Sequence, residues 1–203
     1  MTGSNYLDFG TQTFGGTFSI AVLVRKAALP AGNSPVYDFA AAGDGLTLFY
    51  QSNTLGPVFG YFDGRTYMSY ISDTATVGLG VWDHDVLVFQ EVANNGTLCS
   101  AAGASAGVTS CTTISAYRNG QLVTAKGPDM GGGFAGLNPV VKGLVGGQSA
   151  SVTKVARSGL YVGKSTWPQS GFNGDLSEFQ FFQDVALSAA SVSRLYAGSL
   201  LVC

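Results

Sequence analysis

Charge is scarce in this 203-residue sequence. Lys, Arg, Asp and Glu together make up 11% of the chain, against roughly 25% in an average soluble domain. The ten basic residues form no cluster, which argues against neutralisation of phosphates along a nucleic acid. Uncharged apolar runs of membrane-spanning length are also missing. We therefore expect no nucleic-acid partner and no membrane span.

Helical heptads and alternating strand–helix units are missing too, and short strand patterns separated by turn residues stand in their place. Asp63-Gly64 and Asn119-Gly120 are strong hairpin turns. The predicted strands cover residues 6–10, 18–24, 36–40, 46–51, 58–62, 65–71, 81–92, 112–118, 121–125, 160–162 and 176–182, with one further short strand near Val140. Ser188 is placed to cap a short helix that carries Val192, Leu195 and Tyr196 at helical spacing. These patterns predict an all-β protein, a two-sheet antiparallel β-sandwich in one domain over residues 1–203, with a short C-terminal helical turn.

Cysteine is rare, and its placement suggests an oxidising compartment. Cys99 and Cys111 flank a loop of small residues, and a disulfide closing this loop would stabilise the fold by about 3 kcal/mol. The alternative is two free thiols in a loop. Cys203 is left over, either free or paired with another chain. Asn95 begins an Asn-Gly-Thr sequon that predicts glycosylation in the same compartment.

The first ten residues lack the charged and apolar regions of a signal peptide. Either the mature protein is cytosolic or the chain is a processed or excised domain. The predicted disulfide and sequon favour the second, so we expect an extracellular or cell-surface location.

Read in order, several motifs resemble those of the laminin-G-like (concanavalin A-like) jelly roll. They are Leu7-Asp8-Phe9-Gly10, Phe18-Ser19-Ile20-Ala21, Trp82-Asp83-His84-Asp85-Val86, Tyr117-Arg118-Asn119-Gly120, and the stretch from Tyr161 through Phe172-Asn173-Gly174 to Ala186-Leu187-Ser188. The tryptophan that usually follows the second motif is absent. The resemblance implies a jelly roll of the lectin and glucanase type. We expect Trp82 to fill the core between the sheets, and Gly163 and Gly174 to adopt turn conformations.

Catalytic chemistry finds little support in the sequence. Glucanases of this fold use paired carboxylates, whereas the only two glutamates, Glu91 and Glu178, lack the required neighbours. Asp83 and Asp85 share one face of a predicted strand and could form an acid pair, but we expect them to be solvated at the sheet surface. The single histidine, His84, is expected to be packed or hydrogen-bonded. We therefore assign no catalytic residue and predict that the protein is not an enzyme.

The resemblance also makes calcium possible at the rim of the sandwich. The candidate ligands are turn aspartates, namely Asp38, Asp44, Asp63 and Asp175. Each is equally explained as a residue that caps its own turn. No metal site and no cofactor are assigned.

Loop aromatics are the candidate binding residues, because exposed rings stack on sugars or anchor protein partners. Trp167, Tyr67 and Tyr70 are the candidates, and the alternative for Trp167, which precedes a proline, is that it fixes its loop to the sandwich. The leading hypothesis is a non-catalytic extracellular recognition or adhesion module that binds a glycan or an extracellular protein. The alternatives are a structural subunit of an extracellular fibre, coat or appendage, with copies of itself as partners, and a glycoside hydrolase.

Overall fold

A computed structural model describes residues 6–28, 34–39, 45–50, 57–62, 68–72, 78–93, 110–123, 154–164 and 172–199. These ranges contain thirteen strands and one helix. In chain order the strands are β1 (Leu7–Asp8), β2 (Gln12–Phe14), β3 (Phe18–Lys26), β4 (Ser34–Phe39), β5 (Gly45–Tyr50), β6 (Pro57–Phe62), β7 (Met68–Ser72), β8 (Trp82–Ala93), β9 (Ser110–Arg118), β10 (Gln121–Leu122), β11 (Val155–Arg157), β12 (Leu160–Val162) and β13 (Gly174–Gln183), followed by helix α1 (Ala189–Ser199).

The strands form two main antiparallel sheets. One has six strands in the order β1-β12-β4-β5-β6-β7, and the other has five in the order β10-β9-β8-β3-β13. Strands β2 and β11 form a separate two-stranded ladder. This arrangement confirms the predicted all-β sandwich. The β2–β11 ladder is absent from the sequence prediction because both of its strands are only three residues long. The predicted strand near Val140 lies outside the described residues.

The core lies between the two main sheets and is dominated by alternate residues of β3 and β8. Phe18, Ile20, Val22 and Val24 on β3 are at most 1% exposed. They pack with buried residues of the six-stranded sheet, such as Phe39 of β4 and Val162 of β12. We call the sheet faces that meet in this core the inner faces.

Helix α1 covers the outer face of the five-stranded sheet. Val192 of α1 is fully buried against Ala21, Val86 and Val88. The backbone nitrogen of Ser191 donates to the Ser188 hydroxyl at 3.1 Å, which confirms the predicted N-cap. Both faces of β8 are therefore covered, one by the opposite sheet and one by the helix.

Three sequence expectations about packing have different outcomes. Gly163 has a φ of +87°, which favours glycine as predicted. The prediction for Gly174 was wrong, because it is the first residue of β13. A Cβ there would lie 2.1 Å from the Arg25 carbonyl oxygen, so close packing requires the glycine. Trp82 was also misplaced, since it shares the outer face with His84 and Val86 and its ring lies 5.1 Å from the Arg25 guanidinium carbon.

Candidate functional site

A group of two tyrosines and one lysine lies at the edge of the six-stranded sheet. Strand β1 pairs with β12 so that Asp8 is opposite Tyr161. Leu160 and Val162 point into the core, so Tyr161 between them points outward. The pairing brings Tyr6, just before β1, next to a residue more than 150 positions later in the chain. We call Tyr6, Tyr161 and Lys164 the tyrosine–lysine platform.

The platform holds a positive charge against two aromatic rings. The Lys164 Nζ lies 4.3 Å from the centre of the Tyr6 ring and 4.6 Å from the centre of the Tyr161 ring. The two rings meet edge to face with centroids 5.6 Å apart. Cation–π contacts of this kind orient an ammonium group without neutralising its charge. Within the described part of the chain, no carboxylate forms an ion pair with Lys164.

Backbone hydrogen bonds of Gly163 keep the lysine in this position. The Gly163 nitrogen donates to the Val36 carbonyl at 2.7 Å, and its carbonyl accepts from the Phe172 nitrogen at 3.2 Å. Phe172 itself is 1% exposed. Because Lys164 follows this anchored glycine directly, its backbone is fixed relative to β12. Tyr6 is 44% exposed, so the platform is accessible from solvent.

The binding residues expected from the sequence have different outcomes. Trp167 and Tyr67 lie outside the described residues and stay predictions. Tyr70 was treated as a loop aromatic although it falls in the predicted strand over residues 65–71, and the strand is correct: Tyr70 lies within β7 opposite Gly60 of β6. The platform was missed because the pairing of β1 with β12 creates it. Tyr161 and Lys164 belong to a stretch that resembles a jelly-roll strand, but that motif says nothing of their contact with Tyr6.

The predicted position of the two aspartates at the sheet surface was wrong. Asp83 and Asp85 are each 1% exposed and lie on the inner face of β8, in line with Leu87 and Phe89. Asp83 Oδ1 accepts hydrogen bonds from Arg118 Nε at 3.0 Å and from Asn119 Nδ2 at 2.8 Å. The alternation along β8 was correctly read, but the aspartates point into the sandwich.

Two further polar residues complete this buried environment. Lys26 is 2% exposed, and burial lowers its pKa to about 8, although the charges of Asp83 and Asp85 oppose the shift. Tyr37 reaches the same region from the opposite sheet, and burial together with the Asp85 charge raises its pKa. Together, Lys26, Asp83, Asp85 and Arg118 form what we call the charged end of the core. Two positive and two negative side chains balance one another there.

His84 is packed, as expected, beneath helix α1. It is 2% exposed, and its ring stacks on Tyr196 with centroids 6.0 Å apart. Burial lowers its pKa, an effect that the charges of Glu178 and Asp83 partly oppose. Among the described residues its Nδ1 atom has no hydrogen-bond partner.

The described aspartates do not fit a calcium site. Asp38 and Asp175 lie within strands β4 and β13 rather than in turns. Asp175 is engaged by Arg25, with 2.7 Å between Nη2 and Oδ2. The described ranges contain no group of three or more acidic, histidine or cysteine side chains that could hold a metal ion. Asp44 and Asp63 lie outside those ranges.

Of the residues in the predicted disulfide and glycosylation site, only Cys111 lies in the described ranges. Cys111 lies in β9, opposite Val92 of β8. Cys99, Asn95 and Cys203 lie outside the described residues. The disulfide and the glycosylation site therefore stay predictions. No helix in the described ranges is long and apolar enough to cross a membrane.

Comparison with known proteins identifies the fold. No family model and no curated protein matches this chain. Among solved structures, a native heptameric SAP-like pentraxin from Limulus polyphemus is 15% identical, with a TM-score of 0.55 over 96% of this chain and 79% of the pentraxin. Domain 4 of AbnA, an extracellular GH43 arabinanase from Geobacillus stearothermophilus solved with arabinotriose, is also 15% identical, with a TM-score of 0.55 over 90% of this chain and 68% of that chain.

A third similar structure is the Trypanosoma rangeli sialidase, which is 19% identical with a TM-score of 0.55. The match covers 92% of this chain but 23% of the sialidase. The three structures show that this chain has the concanavalin A-like jelly-roll fold of lectins and glucanases. They do not distinguish the laminin-G-like branch from other members of that fold.

Proposed function

We propose that this protein is a non-catalytic extracellular recognition module that binds an acidic glycan on the tyrosine–lysine platform. The observation that carries the proposal is the ammonium of Lys164, held over two tyrosine rings on an accessible edge of the sheet. Aromatic rings stack on the apolar faces of sugars, and a lysine supplies a point charge for a carboxylate or sulfate group. Trp167, three residues after Lys164 in the sequence, is a further candidate contact.

Two of the structural neighbours are proteins that act on or bind sugars, which supports a sugar ligand. One neighbour was solved with arabinotriose and another is a sialidase. At 15% and 19% identity these similarities concern the fold. The choice of an acidic sugar therefore depends on the platform itself, and in particular on the charge of Lys164.

The absence of catalysis is supported by the environment of the aspartates. An acid pair must be reached by substrate and water, whereas Asp83 and Asp85 are each 1% exposed. Arg118 and Asn119 already bind Asp83 Oδ1. We expect no hydrolysis across a panel of polysaccharides. Hydrolysis that the Asp83→Asn variant loses while remaining folded would contradict the proposal.

A glycan array with paired acidic and neutral oligosaccharides tests the proposal. We expect binding to uronate-, sialate- or sulfate-bearing members and at least about tenfold weaker binding by Lys164→Gln, because a hydrogen bond to a charged group is lost. Lys154→Gln is the matched control, since Lys154 is an exposed lysine paired with Asp184 at 3.2 Å. Equal loss in both variants, or equal binding of acidic and neutral sugars, would contradict the assignment.

A second candidate function is a structural building block of an extracellular fibre or coat. Leu79 and Val81 favour it, because they are 48% and 54% exposed next to the start of β8. Exposed apolar residues of this kind are typical of association surfaces. Analytical ultracentrifugation tests it. Self-association that Val81→Asp abolishes would support this function, and a strict monomer at high concentration would rule it out.

A further inference from the structure

A cavity of about 470 Å³ opens between the two main sheets, at the edge formed by β13, β12 and the segment from β1 to β2. Protein interiors are packed to about the density of organic crystals, with few voids larger than a water molecule. A space of this size lies within the range of small-molecule sites. It is separate from the tyrosine–lysine platform, whose Tyr161 points to the outer face of the same sheet.

Aromatic rings form most of the cavity wall. The described lining residues are Phe9, Gln12, Thr13, Phe14, Phe39, Leu160, Phe179, Phe181 and Gln183, and none of these nine carries a charged side chain. Such a wall binds an apolar molecule by removing its surface from water. The same wall would leave an ionised ligand without a partner.

The rings come from separate elements and brace one another. Phe14 of β2 meets Phe39 of β4 and Phe181 of β13 edge to face, with centroids 6.0 and 5.2 Å apart. The Arg157 guanidinium supports Phe14, since its Cζ lies 4.6 Å from the ring centre and Nη1 donates to the Phe14 carbonyl. These contacts fix the positions of the rings on both sides of the cavity.

The mouth of the cavity exposes apolar surface. Phe9 is 40% exposed, and its ring packs on Phe179 with centroids 5.3 Å apart. A phenylalanine in this position stays partly in contact with water unless another molecule covers it. A ligand in the cavity would cover it.

We propose that this cavity binds a neutral, apolar ring compound. The partly exposed rings of Phe9 and Phe179 contact the ligand. The site is independent of the proposed glycan-binding function, so either can fail without the other.

N-phenyl-1-naphthylamine is a suitable probe, since it is neutral and aromatic and fluoresces more strongly in apolar surroundings. The full-length protein is titrated with it. We expect saturable binding at one site and a blue-shifted emission. Thr13→Trp, which places a large ring at the exposed lining position of β2, should abolish this binding.

Ser177→Trp is the matched control, because Ser177 is exposed on β13 and is not among the lining residues. It should bind the probe like the unmodified protein. Thermal unfolding of each variant verifies that it is folded.

Two results would overturn the proposal. One is the absence of saturable probe binding to the unmodified protein, which would mean that the cavity is closed or filled by the chain itself. The other is equal binding by folded Thr13→Trp, which would place the probe elsewhere on the surface.

Discussion

The space between the two sheets differs sharply from one end to the other. At the end where β3 begins, Phe18 stacks between Phe89 and Phe181 at centroid distances of 4.5 and 5.7 Å. Phe14 meets Phe18 at 5.5 Å, and we call these four rings the aromatic end. At the other end, where β3 finishes, the charged end brings two acids and two bases into the same layer.

The two ends of the core are held together by different interactions. Aromatic residues at one end bury large apolar surfaces, whereas each buried charge at the other end needs a partner. The charged end therefore depends on each of its members, and removing one leaves the others without compensation.

The largest expected effect comes from breaking the charged end. Asp83→Ala removes one carboxylate from the Arg118 side chain, which is only 10% exposed. We expect the free energy of unfolding to fall by about 3–5 kcal/mol. Denaturant unfolding measures the change. The control is Asp175→Ala, whose partner Arg25 is 43% exposed and whose loss should cost less than about 1 kcal/mol. Similar losses in the two variants would show that the charged end is not a buried network.

A smaller loss is expected at the aromatic end. Phe181 stacks on Phe18 and also borders the cavity, so it is only partly buried. We expect Phe181→Ala to lower the free energy of unfolding by about 2–3 kcal/mol, at or below the lower end of the range for fully buried phenylalanines. Phe9→Ala, at a 40% exposed position, should cost less. A larger loss from Phe9→Ala in the same unfolding experiment would reverse the assigned order of the two rings.

The charged end should also make the free energy of unfolding depend on pH, through Lys26. Folding lowers the pKa of Lys26 from 10.5 to about 8, so the unfolded chain binds more protons between these pH values. The free energy of unfolding should therefore rise from about pH 8 to 10.5 as far as Lys26 contributes. Lys26→Met should reduce this rise in denaturant titrations at several pH values. A pH profile identical to that of the unmodified protein would contradict the assigned burial of the charge.

The smallest expected effect concerns His84, on the other face of the strand that carries the two aspartates. Because burial lowers its pKa below 6.5, the unfolded chain takes up a proton first as the pH falls. Stability should decline below about pH 6.5, and His84→Phe should remove that contribution. His84 is the only histidine in the chain, so NMR can follow its ring protons without ambiguity. A titration midpoint at or above 6.5 would contradict the burial of this ring.

Local signals predicted much of this fold. The apolar run of β3, the Asn119-Gly120 turn and the Ser188 cap all depend on neighbours in sequence, and the structure contains each of them. The orientation of β8 could not be predicted in the same way. Its alternation does place Asp83 and Asp85 on one face, but helix α1 buries the opposite face as well, so hydrophobicity alone does not identify the inner one.

The candidate sites were harder to predict than the strands. The tyrosine–lysine platform and the cavity both depend on β1 and β2, which are two and three residues long and pair with strands near the end of the chain. Such short strands carry little pattern of their own. Their partners are chosen by long-range packing, which the sequence does not display.

An NMR titration of the labelled protein with an acidic oligosaccharide, followed residue by residue, tests the central claim most directly. Recognition on the platform predicts that the largest chemical-shift changes occur at Tyr6, Tyr161 and Lys164, and that the core aspartates Asp83 and Asp85 are unaffected. Changes centred on Asp83 and Asp85, or no changes at the platform while the sugar binds, would contradict it.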